Sequence, residues 1–432
     1  MHKKLEATLK LQGWLLPVLL AILIALSIIF PFKGWWVIIL SLGLSFLFSF
    51  YTMHALKNHL LILREMRFDW AQVGDVLEDR ITVHNQGVLP TMWLEIVDQT
   101  TIPGNKKSIA TSLSPNMKFT WKKKHICTRR GVYRLGPTSV QTSDIFGFYQ
   151  LTVHDPSETN ILITPPTIPL PQIEVASGGQ TGDGRMVNGF IEQSVAVSTI
   201  RDYQPNDPFH HIHWPTTAKR NELTSRVFEN TPTGNWWIIQ DMFEVTQYGT
   251  ENRNTVEAGI ILSASLAEKG LRKGKAVGLI SNDRAHTWIS AQHAGDQSLK
   301  ILQALALFEV SALPLKELLK KSIGAFRQTA SLIIVTSDIS MDWWEPLIWL
   351  KAKGMIPTLL LLDPTSFGAE ANIQPILTIL RNSAIHTYKL DADLFSEQLN
   401  VKENPLWEWR VFGTGKAIPV KKPKDQTWKM LQ

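Results

Sequence analysis

The run Ile200–Lys219, IRDYQPNDPFHHIHWPTTAK, gathers the residue types that do chemistry. Arg201, Asp207, Lys219 and, further on, Arg226 are able to form a partly buried charge network. His210, His211 and His213 invite a metal reading, and His210 and His213 would share a helical face. Two histidines without a supporting carboxylate fall short of the three or four ligands that zinc takes. Asp207 suits a helix N-cap and Pro208 the first helical position, so a helical turn is predicted over Phe209–Trp214, stopped by Pro215. A hydrolase built on Arg201–Trp214 and these histidines is the alternative functional reading. The chain shows no nucleophile elbow and no recognisable carboxylate pair to accompany it.

Two further stretches stand out. Arg129-Arg130-Gly131-Val132-Tyr133 reads as a strand entered through Gly131 and left through Gly136-Pro137. Asp144-Ile145-Phe146-Gly147 reads as a tight turn, with Asp144 accepting from local amides and Gly147 free to take positive φ. Between residues 118 and 134 lie Lys118, Lys122, Lys123, Lys124, Arg129, Arg130 and Arg134 with no acid. That segment is expected to be a solvated face or to lie against anionic lipid, rather than to bind nucleic acid. His125 and Cys127 share a strand face, and the lone cysteine is expected in a core. The glycine-rich stretch Ser177–Asn188 has no Gly-Lys-Ser/Thr closure and no strand leading into it, so it is not a phosphate loop.

The elements that must position these residues follow from composition. The 432 residues carry a net charge of +6 and one cysteine, which excludes an internal disulfide and any multi-cysteine metal site within the chain. The mean hydropathy of −0.03 averages a greasy N-terminus with a polar remainder. Two uncharged stretches, about 12–32 and 34–53, are separated by Pro31-Phe32-Lys33-Gly34. Each is about 20 residues, enough to cross a bilayer as helix, so a transmembrane helical hairpin is predicted within residues 1–62. Lys3, Lys4 and Lys10 before it, and Lys57, Arg64 and Arg67 after it, put both termini in the cytoplasm by the positive-inside tendency. Short strands with closely spaced turns over 63–165 predict an antiparallel β-sandwich. The proline-rich TPPTIPLP at 164–171 opens a linker that carries the motif region, 166–232. Alternating strands and helices over 233–395 predict a parallel, doubly wound α/β domain with acids Asp241, Asp338 and Asp363 at strand ends, where such sheets bind ligands. Residues 396–432 form a basic, aromatic tail.

These motifs together resemble the bacterial and archaeal family catalogued as domain of unknown function 58. The family's Arg-Arg-Gly-x-Tyr strand corresponds to Arg129, Arg130, Gly131 and Tyr133. Its Asp-Pro-Phe-Gly turn corresponds to Asp144, Phe146 and Gly147, with Ile145 in place of proline. Its Arg-Glu-Tyr-x-Pro-Gly-Asp…Ile-x-Trp…Ser-Ala-Arg stretch corresponds to Arg201, Asp202, Tyr203, Pro205, Asp207, Ile212, Trp214, Ala218 and Lys219, and Leu223, Arg226, Phe228 and Glu229 look like its continuation. Asn206 stands where the family has glycine, His210 and His211 where arginine is usual, and Thr217 where serine is usual. The α/β region resembles a von Willebrand factor type A domain. Such domains hold Mg²⁺ through Asp-x-Ser-x-Ser and a later Asp. Here Asp241 and Asp338 remain, while Phe243 and Val245 stand in the serine positions, so a degenerate site without a cofactor is expected. The resemblance implies a membrane-anchored, non-catalytic interaction or scaffold protein that touches membrane lipid and recruits a protein partner, such as a MoxR-type AAA ATPase.

Overall fold

A computed structural model of the chain describes residues 5–66, 70–104, 107–170, 173–176, 197–204, 212–220, 222–228, 235–250, 253–293, 295–323, 326, 330–383, 385–395, 407–411, 417–421 and 429–430. The chain divides into two compact units. The first holds residues 1–165 with 401–408 and 420–432; the second holds 166–400 with 409–419.

The first unit is built from β1 (Glu6–Leu11), α1 (Leu15–Ile29), α2 (Lys33–Lys57), β2 (Leu60–Met66), β3 (Trp70–Gln72), β4 (Val76–Asn85), β5 (Thr91–Asp98), β6 (Ser108–Leu113), β7 (Lys118–Ile126), β8 (Gly131–Leu135), β9 (Thr138–Ser143), β10 (Tyr149–Asp155) and β11 (Thr159–Thr164). One sheet runs β1-β10-β9-β5-β6 and is antiparallel throughout. A second contains β2, β4 and β7. A short third sheet runs β3-β11-β8. The inward phase of the alternating strands fills one core with Leu60, Ile62, Ile81, Val83, Leu94, Ile96 and Leu151, closed by Met53 and Leu56 of α2. A second core holds Met66, Leu77, Cys127, Leu135, Ile161 and Ile163.

Between the two cores lies one layer of buried ions. Arg64 falls between Ile62 and Met66, Asp79 between Leu77 and Ile81, and Lys123 two residues beyond Trp121, all in the inward phase of their strands. The Arg64 guanidinium donates to Asp79 through Nε at 3.1 Å and Nη2 at 2.5 Å, and to Asp98 through Nη1 at 2.9 Å. Lys123 donates to Asp98 and stands 3.5 Å from Asp79. Thr100 donates to Asp98 at 2.7 Å. Burial alone would raise the Asp98 carboxyl, but the charges of Arg64 and Lys123 beside it hold it below its usual value. His125, on the same face, is pushed down to about 4 by burial and by Lys123, and is therefore neutral at pH 7.

The second unit contains β12 (Val197–Asp202), α3 (Trp214–Arg220), β13 (Thr224–Phe228), β14 (Trp236–Gln240), the two-residue strands β15 (Gly249–Thr250) and β16 (Arg253–Asn254), α4 (Thr255–Arg272), β17 (Val277–Ser281), β18 (Trp288–Gln292), α5 (Gln297–Ala306), α6 (Leu315–Ser322), β19 (Ser331–Thr336), α7 (Trp344–Ala352), β20 (Ile356–Leu362), α8 (Gln374–Asn382) and β21 (His386–Leu390). Its main sheet runs β18-β17-β14-β19-β20-β21. Every residue of β14 is buried, so side chains of opposite phase serve two cores: Trp236 and Ile238 meet α4 and α5, while Trp237 and Ile239 meet α6 and α7. Asn254 caps α4 by accepting from the Glu257 amide at 2.7 Å. Near the C-terminus, β22 (Trp407–Val411), β23 (Ala417–Lys421) and β24 (Lys429–Met430) complete the described strands, and β24 pairs with β2 through Glu65 and Met66.

The predicted architecture of a transmembrane helical hairpin, a β-sandwich behind it and a parallel doubly wound α/β domain is overturned. Among the described residues only Lys33–Lys57 is long and apolar enough to cross a membrane. Leu15–Ile29 has 15 residues, about 22 Å of helix against a hydrocarbon thickness of about 30 Å. The β structure does not begin behind the helices: β1 precedes them and pairs with β10, so the helices are an insertion within an assembly of several mainly antiparallel sheets. The six-stranded sheet is mixed, because β18 runs antiparallel to β17. The reason is local. Val277–Ser281 and Trp288–Gln292 are joined by a short loop in which Asp283 accepts from the amides of Ala285 and Thr287, and so short a connection allows only an antiparallel return.

Candidate functional site

The C-terminal edge of the six-stranded sheet brings the loops after β14, β17 and β19 together around Asp241. Asp241 is 1% exposed. Its Oδ1 accepts from Asn282 Nδ2 at 3.0 Å and from the Phe243 amide at 3.1 Å; its Oδ2 accepts from Thr336 Oγ1 at 2.7 Å. Burial pushes its carboxyl up to about 6, against the lowering effect of these donors. Asn282 is the hub of the edge: its Oδ1 accepts from the Met242 amide at 2.7 Å, and its Nδ2 also donates to the Leu313 carbonyl at 2.6 Å. Ser337 donates to the Thr246 carbonyl at 2.6 Å. Asp338 accepts from the Ser340 amide at 2.7 Å.

The donor set does not fit a divalent cation. Mg²⁺ needs several oxygens directed at one point, whereas both Asp241 oxygens are turned to protein donors and Phe243 and Val245 bring no side-chain oxygen. Among the described residues no group of three His, Cys, Asp or Glu converges. Outside this ring lies an open groove of about 640 Å³ lined by Glu244, Arg284, His286, Val310, Ser311, Ala312 and Leu313. Arg284 pairs with Glu309 at 3.2 Å on its rim.

The residues singled out in the sequence fall in separate places. Arg201 lies on β12 beside Ser225 of β13, and Arg226 beside Ile200. Tyr203 N–H donates to the Leu223 carbonyl at 2.8 Å, and Ile212 bridges to Ser225. Ile212 is buried; Trp214, Ala218 and Lys219 are exposed. Pro205, Asp207, His210 and His211 lie outside the described residues. Pro215 does not stop a helix; it sits in the first turn of α3, where its missing N–H is not needed. His213 serves that helix as a cap: its Nδ1 accepts from the Thr216 amide at 3.3 Å and lies 2.7 Å from the Thr216 hydroxyl.

In the first unit, Gly131 (φ 136°) and Gly136 (φ 88°) bound β8. A Cβ at Gly136 would stand 2.5 Å from the Ser157 carbonyl, and Tyr133 Oη donates to the Arg129 carbonyl at 3.1 Å. Arg129 and Arg130 thus flank a strand entry. The register of β2, β4 and β7 puts Lys118 opposite His84 and Ile126 opposite Val76. Hence Ile126, with Arg129 and Arg130 beyond it, lies roughly 27 Å further along the sheet than Lys118, away from where α2 joins β2. Lys123 of the same basic segment is consumed by the ion layer.

The Asp144 turn has a more specific role. Asp144 Oδ2 accepts from Ser49 Oγ of α2 at 2.8 Å and from the Phe146 amide at 3.0 Å, and Oδ1 accepts from the Tyr149 amide at 2.6 Å. Gly147 takes φ 71°, and the Phe148 carbonyl accepts from Gln12 and Gly13 at the head of α1. Asp144 therefore fastens the β assembly to the long apolar helix. Asp144→Ala is expected to cost about 2 kcal/mol or more, because hydrogen bonds to a charged acceptor are worth roughly 1.5–3 kcal/mol each. Thermal unfolding in detergent measures this, and a change below about 0.5 kcal/mol, the scale of an ordinary surface substitution, would remove the turn from that role.

Sequence reasoning missed Asn282 and the ion layer. The layer left a signal, a charge at an inward position of an alternating strand: Arg64 in LLILREM and Asp79 in VLEDRITVHN. Asn282 left none, since an asparagine after a strand is ordinary turn composition.

Residues 199–367 match the family described as "Protein of unknown function DUF58". The chain is 24% identical over 294 residues to the uncharacterized protein YeaD of Bacillus subtilis, covering 65% of this chain and 70% of that protein. It is 21% identical over 206 residues to the uncharacterized protein Rv1480 of Mycobacterium tuberculosis, spanning 63% of that protein's length and 45% of this chain. Among solved structures, the CARDB domain of PF1109 from Pyrococcus furiosus is similar over 24% of this chain and 91% of its own, at 13% identity and a TM-score of 0.18, a likeness too slight to bear on this chain.

Proposed function

We propose that this chain is a membrane-anchored, non-catalytic docking protein, held by the α2 region and offering the rim of its six-stranded sheet to a protein partner. The observation that carries the reading is the division of labour at that edge. The acids facing inward are spent on their own loops, as Asp241, Asp283, Asp338 and Asp363 accept from neighbouring amides and hydroxyls. The outer groove presents Glu244, Arg284, His286 and Val310, a mixture of charge and exposed apolar surface suited to protein contact. The resemblance stated above makes a MoxR-type AAA ATPase the first partner to test.

The anchor reading is supported by the length and apolar surface of α2. Lys57 at the end of α2 favours the cytoplasmic side of the plasma membrane for the β structure that follows it. Arg64, counted among the flanking charges on sequence grounds, is instead inside the ion layer.

The test uses the full chain in detergent and a purified MoxR-type ATPase from the same host. A complex is expected, and Arg284→Glu with Val310→Asp is expected to weaken it at least about tenfold, or about 1.4 kcal/mol. Absence of a complex with the unaltered chain, or equal binding by the double variant, would remove the docking groove.

A further inference from the structure

We infer that the tip of the Asp144 turn, Ile145 and Phe146, is seated in the membrane interface as an apolar wedge, so that the β assembly itself enters the lipid rather than standing clear of it. The inference rests on the anchor reading above and adds the part of the soluble-looking unit that meets acyl chains.

Depth carries the argument. The α2 helix does not project along its whole length. Phe46 lies against Phe148 and Tyr149, with ring centroids 6.0 and 5.2 Å apart, and Phe50 lies 5.7 Å from Tyr149. From Ser49 onward the helix is fastened to the β assembly, through Asp144, Met53 and Leu56. The free portion, Lys33 to about Phe46, measures roughly 20 Å. The α1 helix starts beside Phe148 and is about 22 Å long. Both fall short of a hydrocarbon layer of about 30 Å. When a hydrophobic length is too short, the bilayer thins around it, which brings the interface down onto whatever flanks the helices.

The flanking residues are built for that. Ile145 is 63% exposed and Phe146 53% exposed, at the tip of a turn held rigid by Asp144. Trp14 (69%) heads α1 and Tyr51 (67%) stands on α2 two residues past Ser49. Phe146 stacks on Phe148 at 5.4 Å, and Phe148 in turn meets Phe46 of α2, so the tip adjoins the helices; exposed Lys10 precedes α1 on β1. Aromatic rings at the hydrocarbon boundary followed by a cation is the order found at membrane interfaces.

The experiment places a cysteine at Phe146, Leu40 or Val132 in the full chain, whose native Cys127 is fully buried. Each variant carries an environment-sensitive fluorophore and is reconstituted in vesicles of zwitterionic and anionic phospholipid doped with nitroxide-labelled acyl chains. Leu40 reports the exposed mid-face of α2, and Val132 an exposed apolar site on β8. Expected is a blue shift with nitroxide quenching at Phe146→Cys and Leu40→Cys, and neither at Val132→Cys. Quenching at Leu40→Cys without quenching at Phe146→Cys overturns the wedge and leaves the anchor. Absence of quenching at both overturns the anchor reading as well. Equal quenching at all three also overturns the wedge, since the fluorophore would then be drawing every site to lipid.

Discussion

Lys123→Met is expected to destabilise the first unit by about 3–5 kcal/mol, the cost of leaving a buried charge without its partner. Arg64, Asp79, Asp98 and Lys123 balance, two cations against two carboxylates, all at 5% exposure or less. Without Lys123, two carboxylates face one guanidinium in a layer with apolar cores on both sides. Asp98→Asn added to Lys123→Met restores neutrality and leaves the two-pronged Arg64–Asp79 pair, so the double variant is expected to be more stable than Lys123→Met alone. Urea unfolding of the three proteins measures the coupling. Additive losses, or a Lys123→Met protein within about 1 kcal/mol of the native one, the centre of ordinary point-mutant losses, would show that the layer does not act as a unit. The same layer sets an acid limit. His125 has a folded value near 4, below its unfolded 6.5, so the stability it contributes is present above pH 6.5 and is lost as pH falls through 4. The Lys123 charge helps to depress that value, and Lys123→Met should move the His125 titration upward.

The second large effect has the opposite sign. The Asp241 carboxyl is raised from 3.8 to about 6 by complete burial. A raised acid contributes stability below its unfolded value, and that contribution is lost as pH rises from 3.8 through 6. At pH 8 the buried carboxylate therefore costs about 3 kcal/mol relative to its neutral form. Asp241→Asn keeps an oxygen for Asn282 and the Phe243 amide, and its amide group can donate to Thr336 Oγ1 in place of accepting from it. The variant is expected to be more stable than the native chain at pH 8, by up to about 3 kcal/mol, with the advantage gone near pH 4. Hydrogen exchange of peptides from β14 and β19 across that range reads the second unit alone. Parallel pH profiles for the two proteins would show that the carboxylate is stabilised by its donors as well as water stabilises it.

What the sequence disclosed and what it hid divide along physical lines. Continuous apolar runs such as Trp236–Gln240 and Ser331–Thr336 are legible as buried strands, because both faces of the sheet are covered and no polar phase is needed. The pairing of those strands is not legible. Nothing in EATLKL says that a strand before two apolar helices will pair with Tyr149–Asp155 behind them, and this pairing overturned the order of anchor first and β structure second. The helices were located by hydropathy, but hydropathy does not report that Met53 and Leu56 belong to the β core. At the site, Asp241 was legible as an acid at a strand end. Its hydrogen-bond partners were not, because Asn282 and Thr336 lie 41 and 95 residues away and are brought in by the sheet. Of the central motif, the sequence marked Pro215 as a stop where the fold uses it as a start. Proline is compatible with either side of that boundary.

The strand that precedes the helices also sets the order in which the protein can be made. Gln12 and Gln150 hydrogen-bond across 138 residues. At roughly 5–20 residues per second, β1 leaves the ribosome some 7–30 s before its partner exists. During that interval α1 and α2 have already emerged as the most apolar part of the chain, with their β socket unbuilt. The sheets then close around helices made earlier, and the Ser49–Asp144 bond forms only once the turn before β10 has been synthesised. Assembly of this protein is a race between the synthesis of β10 and the fate of an unpaired edge strand.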